Sequence, residues 1–389
     1  MSSFGDRLVP VALAFAVLDL TGSVTDLGVV LAAGTLPLLL CILLGGVWAD
    51  RLPRQLVMLA SDAVRALAQG ASAALLLSGN AHVWQLATLQ AIYGAAQAFF
   101  NPAATALIPQ TVDEPQIQQA NALLGLTESV FAVLGPAVAG VLVATAGPGW
   151  GLATDALSFL VSAAFLSQLR LVHEPSTVQR STLHEIRAGW STFRAHTWLW
   201  VTSSYFALFL ALGYAPLQVL GPQVARRSLG GAGTWAAIST ARGLGSLMGG
   251  GLSLRWRPRH PLRAAFIVFI IGTPTLLAAI AAHAALAIIL ALALIDGITV
   301  AVFNTMWFTA IQSEIPQAEL SRVASWDELG SLALQPLGQI ATGPIAIGIG
   351  LSATLYGAGG LTLVLLIAVL AVPATRNFTL KSHDPPLAQ

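Results

Sequence analysis

The chain has 389 residues, of which 56% are hydrophobic and 9% charged, with a net charge of +1 and a mean hydropathy of +0.77. An ordinary soluble domain is about 25% charged, and a single soluble core stops growing at about 250–300 residues, so a bilayer has to take up the apolar surface. The low charge excludes a disordered or nucleic-acid-binding chain, and the one cysteine, Cys41, excludes an internal disulfide and a cysteine metal site.

A spanning helix needs about 20 apolar residues. Apolar runs bounded by Gly, Pro or charge predict twelve of them in chain order. They are 4–20, 27–49, 55–77, 83–109, 120–146 and 150–169, then, after a polar stretch at 170–196, 198–220, 234–254, 262–282, 286–311, 322–347 and 351–372. The expected fold class is therefore an all-α membrane protein. Its layout is an N-terminal six-helix half at 1–169, a linker at 170–197, a C-terminal half at 198–373 and a tail at 374–389. The first run is short. Asp6 and Arg7 leave only 8–18 free of charge, about 16 Å of helix against a hydrocarbon core of about 30 Å. Either a start codon lies too far downstream or these charges face a polar cavity. No basic segment precedes the run, so no cleavable signal peptide is expected.

Basic residues orient the set. With both termini cytoplasmic, Arg51, Arg54, Arg170, Arg180, Arg187, Arg194, Arg255, Arg257, Arg259, Arg263, Arg322, Arg376 and Lys381 all fall inside, while the outer loops hold only Arg226 and Arg227. The two halves also echo each other at an offset of about 200 residues. Phe100-Asn101 parallels Phe303-Asn304, Pro136 parallels Pro336, and Gly45-Gly46 before Arg51 parallels Gly249-Gly250 before Arg255. A six-helix repeat in one orientation implies a pseudo-twofold axis along the membrane normal, a transporter arrangement.

The loop after the second run reads Gly45-Gly46-Val47-Trp48-Ala49-Asp50-Arg51-Leu52-Pro53-Arg54. It resembles motif A, G-x-x-x-D-R-x-x-R, of the major facilitator superfamily. Gly135-Pro136-Ala137-Val138-Ala139-Gly140 resembles that family's antiporter motif C, with Ala139 in place of one glycine and Phe131 in place of another. The stretches 101–140 and 148–163, with Asp155-Ala156-Leu157-Ser158-Phe159, are similar to the enterobactin-exporter-like, drug-efflux branch. This resemblance implies a multi-pass protein of the bacterial inner membrane, acting as a monomer by alternating access. It implies that Gly46, Asp50, Arg51 and Arg54 gate the cytoplasmic side, with Asp50 docking the second helix on the start of the eleventh. The alternative for that loop is a solvated, positive-inside turn. In the second half Leu254 replaces the aspartate, so the gate is expected to be asymmetric. Gly135, Pro136 and Gly140 are expected to bend and seal the fifth helix against the other half; the alternative is an ordinary proline kink.

Ionisable residues inside a membrane are functional candidates by default. Asp62 and Arg65, at i and i+3, share a face and are read as a structural ion pair. Asp155 is read as a cap or packing residue, and one of Asp327 and Glu328 as favouring the start of the eleventh helix. Glu128, Asp6 and Asp296 are the proton-coupling candidates, because a carboxyl at membrane depth can take and release protons near neutrality. Arg242 is a charge partner for one of them. Helical spacing puts Gln90, Tyr93, Gln97 and Asn101 on one face of the fourth helix, and Asp296, Phe303 or Asn304, and Trp307 on one face of the tenth. By resemblance these helices line a central cavity. Amides with aromatics suit an amphipathic cargo; the alternative is polar glue between helices.

There is no G-x-x-x-x-G-K-[ST] loop, H-E-x-x-H or G-x-S-x-G, and the seven histidines show no metal spacing. No nucleotide, nucleic acid, metal, cofactor or catalytic residue is therefore expected, and the chain is not read as an enzyme. At 183–190, Leu183, Ile186 and Trp190 predict a short amphipathic helix at the cytoplasmic interface, a linker or a regulatory partner site. The expected partners are protons, the lipid bilayer and a small amphipathic substrate, drug-like or siderophore, exported by proton antiport. Proton-coupled uptake, and a non-transporting sensor or inactive truncated chain, stand as alternatives.

Overall fold

The computed structural model describes residues 2–51, 53–111, 116–169 and 182–380; at 43–51, 102, 105–106, 108–110, 117–118, 121–122, 182–186, 188, 317–318 and 321 it describes the backbone alone. Among the described residues every element is a helix. In chain order these are α1 Ser2–Asp6, α2 Val9–Thr21, α3 Val24–Arg51, α4 Arg54–Leu77, α5 Val83–Thr111, α6 Ile117–Thr145, α7 Pro148–Ser167 and α8 Thr182–Ala195. The second half holds α9 Thr197–Phe209, α10 Ala215–Val224, α11 Ala232–Arg255, α12 Pro261–Phe269, α13 Thr273–Ala281, α14 Leu286–Glu314, α15 Gln317–Leu332, α16 Gln335–Ile349, α17 Leu351–Ala371 and α18 Pro373–Arg376.

Each of the twelve predicted runs is helical, but three expected to be single helices are divided. The breaks separate α1 from α2, α12 from α13 and α15 from α16, and each falls just before a proline at the start of the following helix: Pro10, Pro274 and Pro336. Proline brings no N–H for the carbonyl one turn back, so it fits the first turn of a helix and interrupts an interior. Between α9 and α10 the chain stays helical through a π turn at Leu210–Tyr214, ahead of Pro216, whose missing N–H leaves the Leu212 carbonyl without its usual donor.

Eight described helical segments are long and apolar enough to cross a membrane, three of them made of the successive helices α9–α10, α12–α13 and α15–α16. The segments that fall short do so for visible reasons. The α2 helix has only 13 residues, α4 buries Asp62 and Arg65, α5 carries Gln90, Gln97 and Asn101, and α11 carries Arg242.

Packing repeats with the six-helix period. In the first half α3 packs on α5, and α4 on α7; in the second, α11 packs on α14, and α12 and α13 on α17. Between the halves α6 packs on α11 and α3 on α16, so the second run meets the eleventh as the fifth meets the eighth. One buried apolar cluster spans both halves and includes Leu13, Leu86, Leu220, Ile238 and Leu277. A second, aromatic-rich cluster lies within the second half around Tyr205, Phe209, Phe266, Phe269 and Phe303.

Candidate functional site

Two buried ionic clusters lie inside the protein, one in each half. In the first, Arg65 is 1% exposed and donates to Asp62 Oδ1 at 2.6 Å, with Asp6 Oδ2 at 3.6 Å. The guanidinium lies over the rings of Phe100 and Phe159, 4.2 and 4.3 Å from their centroids, a geometry that favours a desolvated cation. The Tyr93 hydroxyl donates to Asp6. Asp155, on α7, feels the charges of both Asp6 and Arg65. It is fully buried, and neither of its carboxyl oxygens has a hydrogen-bond partner. Ser158 donates to the Asp155 main-chain carbonyl instead, and Gln69 Nε2 is likewise unpartnered. Only Gly5 lets α1 come down here, because a Cβ would strike Asp155 Oδ1 and Ser158 Oγ. Three carboxyls thus surround one guanidinium. A buried charge without a partner costs several kcal/mol, and among the described residues this cluster holds more carboxyls than cations.

The cluster in the second half is balanced. Arg242 Nε donates to Asp296 Oδ2 at 2.6 Å and Thr273 Oγ1 to Asp296 Oδ1 at 2.5 Å, with Asp296 fully buried. Each carboxylate oxygen has a donor and the charges cancel. Asp296 and Arg242 therefore form a satisfied pair within the second half, which corrects the expectation that Asp296 faces a cavity. Glu128 is also corrected. Its side chain is 45% exposed rather than deeply buried, and its partner is Arg7, at 3.3 Å.

The motif C segment seats two contacts. A Cβ on Gly135 would strike Arg7, so this glycine lets α6 approach the start of the chain; one on Gly140 would strike Ala236 of α11. Phe131, which occupies a family glycine position, packs on Phe4 with ring centroids 5.5 Å apart. Gly243 of α11 sits against the Ala132 carbonyl, and Gly28 of α3 against the Gln339 carbonyl of α16. Arg226 adds an ion pair to Asp19 at 3.3 Å and a hydrogen bond to the Leu18 carbonyl. The halves are thus closed together at the end that holds residues 18–28 and 223–236. Toward the opposite end Leu123, Leu124, Leu126, Leu252 and Leu254 are exposed, and a Cβ on Gly125, Gly250 or Gly251 would meet nothing within 4 Å.

Within the second half a cavity of about 520 Å³ lies toward that open end. Asn304, Phe308 and Gln312 of α14, at steps of four, face it, with Ala324, Asp327, Glu328 and Ser331 of α15 and Phe206 of α9. Trp307 also lines it. Of the pair Phe303 or Asn304, the cavity takes Asn304; Phe303 is 1% exposed and belongs to the aromatic core against Phe206 and Phe266, so its cavity role is corrected. On α5 the expected face splits. Gln90 is buried and donates to Gln69 Oε1 at 3.4 Å, Tyr93 is committed to Asp6, Gln97 is half-buried, and Asn101 is exposed. Sequence reasoning left Asp155 and Gln69 out of the site. The spacing of Asp62, Arg65 and Gln69 along one helical face was the available signal for Gln69. For Asp155 the signal was membrane depth alone, because the groups that surround it come from α1 and α4.

Gly46, Asp50 and Arg51 lie in the last turns of α3, where side chains are outside the described residues; Arg54 begins α4. The linker residues 170–181 are also outside. The expected amphipathic helix is present as α8, which packs on α15 with Trp190 4.8 Å from Trp326.

A family profile described as Major Facilitator Superfamily matches residues 1–331. The multidrug efflux pump Tap of Mycolicibacterium fortuitum is 28% identical over 393 residues, covering 97% of this chain and 94% of that protein. Macrolide efflux protein A of Streptococcus pyogenes is 23% identical over 388 residues, covering 98% and 95%. Among solved structures, a D-xylose-proton symporter superimposes with a TM-score of 0.74 at 15% identity over 97% of this chain and 98% of that one. A bacterial homologue of the iron transporter ferroportin in an inward-facing state gives 0.69 at 19% identity over 95% and 96%.

Proposed function

The chain belongs to the major facilitator superfamily of membrane transporters, and we propose that it exports small amphipathic molecules, drug-like compounds or siderophores, by proton antiport across a bacterial inner membrane. Relatives named as multidrug and macrolide efflux proteins support the direction. The observation that carries the proton coupling is the surplus of acid around Arg65: Asp6, Asp62 and Asp155 share one guanidinium. Such a group holds a proton in this state and can release it when the halves rock and water reaches it. Asp6 and Asp155 are the coupling residues of this reading. Asp296 is its structural counterpart, and the Arg7–Glu128 pair, half-exposed beside the motif C glycine, links the start of the chain to α6.

The positive-inside orientation makes the closed end external and the end holding α8 cytoplasmic. The conformation is then inward-open, ready to load cargo from the cytoplasm. Asp50, Arg51 and Arg54 are assigned to the gate that closes this end, with the start of α15 as partner. The two six-helix halves rock as rigid bodies about the α3–α16 and α6–α11 seams, and one copy of the chain suffices.

Transport in proteoliposomes with a reversible pH gradient tests the proposal. An internal pH probe reports protons while cationic dyes and siderophores are added. Substrate-triggered proton movement opposite to cargo, lost in Asp155→Asn and retained in Asp296→Asn, is the expected result. Proton and cargo moving together would replace antiport with symport. Proton coupling that survives in Asp155→Asn and Asp6→Asn would remove this cluster from the mechanism.

A further inference from the structure

We propose that the cavity between α14 and α15 selects cargo by positive charge, with Glu328 and Asp327 as the anionic wall and Phe206, Trp307 and Phe308 as the apolar one. This rests on the export reading and names the chemical class of the cargo: an amphipathic ammonium or phosphonium cation, in preference to an anionic siderophore.

The cavity, about 520 Å³, is within the range that encloses drug-sized ligands. Its walls do not belong to lipid. Asn304, Gln312 and Glu328 are all exposed on it, and hydrocarbon would leave those polar groups unsatisfied. The charge is one-sided. Asp327 is 7% exposed and accepts only from neutral donors: Ser203 Oγ at 2.5 Å, Trp307 Nε1 at 3.0 Å and Ser331 Oγ at 3.4 Å. Among the described residues neither Asp327 nor Glu328 forms a salt bridge within 4.0 Å. The charged group acting on Glu328 is Asp327, of the same sign. Arg242, the interior cation of this half, is committed to Asp296. Among the described residues that line the cavity there is no arginine or lysine, so a cation entering here meets a wall of one sign.

The aromatic wall suits the same ligand. Ring faces attract a desolvated cation, tryptophan most strongly, and they cover its apolar substituents. The Trp307 indole N–H is held by Asp327, which fixes the ring beside the carboxylates. Asp327 is thus a positioning residue for Trp307 as well as part of the charged wall, and Glu328, exposed to the cavity, is the residue in direct reach of the ligand.

Equilibrium dialysis of radiolabelled tetraphenylphosphonium against the purified full-length chain in detergent tests this without any gradient. Wild type should bind. Glu328→Gln should weaken binding by about tenfold, as expected for loss of a charge-assisted contact, and Glu328→Asp should retain most of it. Asp327→Asn should weaken it by a few-fold and alter Trp307 fluorescence on binding. The neutral triphenylphosphine oxide should not displace the probe. Glu328 is exposed, so the Gln variant keeps the fold, which the melting temperature verifies. The proposal is overturned if wild type does not bind, if neither variant changes the Kd by more than twofold, or if the neutral compound competes equally. Carboxylate-dependent binding with no proton movement in proteoliposomes would instead leave this site standing and remove the antiport reading.

Discussion

The two buried ionic clusters of this protein are built from the same residue types and have opposite characters. In the second half one arginine meets one aspartate, and Thr273 supplies the donor for the other oxygen. In the first half one arginine pairs with Asp62 and Asp6 and feels a third acid, Asp155, whose carboxyl oxygens have no close hydrogen-bond partner. Burial depth does not separate them, since Asp155 and Asp296 are both fully buried. Stoichiometry does. On the antiport reading a saturated pair keeps its charge through the cycle, whereas a surplus carboxyl is the group that exchanges a proton. Membrane depth alone nominates every intramembrane acid; counting donors and cations around each acid divides structural groups from working ones.

The comparison breaks most severely at Arg65. Arg65→Met removes the one cation from three buried carboxyls and should cost about 3–5 kcal/mol, the usual penalty for breaking a buried pair from one side. Thermal unfolding in detergent measures it. Near-wild-type stability would mean that the three acids are already neutral and that Arg65 does not hold them together. The next largest effect belongs to the balanced cluster. Asp296→Asn should cost about 2 kcal/mol, the scale of a hydrogen bond to a charged group, because Arg242 is 24% exposed and water takes over part of its solvation. Its transport should keep the wild-type dependence on pH. A loss of coupling without a loss of stability would reverse the roles assigned to the two halves.

Asp155→Asn sharpens the contrast from the other side. The carboxyl oxygens have no close hydrogen-bond partner, so stability should change by less than about 1 kcal/mol, while the pH dependence of transport flattens. The groups facing it are Asp6 on α1, Arg65 and Gln69 on α4, Tyr93 on α5 and Ser158 on α7; each remains in the variant, so a flattened profile is assignable to Asp155. A profile identical to wild type would sink the assignment.

Much of this arrangement was legible in the sequence. The helical segments and the Asp62–Arg65 pair at i, i+3 follow from spacing along one helix, a local property. What was hidden is non-local. Whether Asp296 is paired depends on Arg242 of α11 and Thr273 of α13, and whether Asp155 is paired depends on the approach of Gly5. Periodicity also could not choose between Phe303 and Asn304, which are adjacent on α14; the aromatic side chains of α9 and α12 decided it by drawing Phe303 into their cluster. The breaks before Pro10, Pro274 and Pro336 were available locally, but apolar runs continue across them and masked the stop.

The smallest predicted effect lies at the closed end. Arg226 pairs with Asp19 across the seam, with side chains 36% and 49% exposed. Ion pairs at such exposure contribute roughly 0.2–1 kcal/mol, so Arg226→Ala should leave the melting temperature almost unchanged. Its effect should show in the conformational equilibrium instead. Both of its contacts, to Asp19 and to the Leu18 carbonyl, join the two halves, so they stabilise only the state in which this end is shut. Losing them should raise the population open at this end by about two- to fivefold, the factor that such energies give. Ala236→Cys, at a position buried in the seam beside Gly140, in a background with Cys41→Ser, reports this as faster maleimide labelling. Faster labelling at constant stability identifies the pair as a latch on the alternating cycle, whereas unchanged labelling would show that the glycine-lined seams close this end unaided.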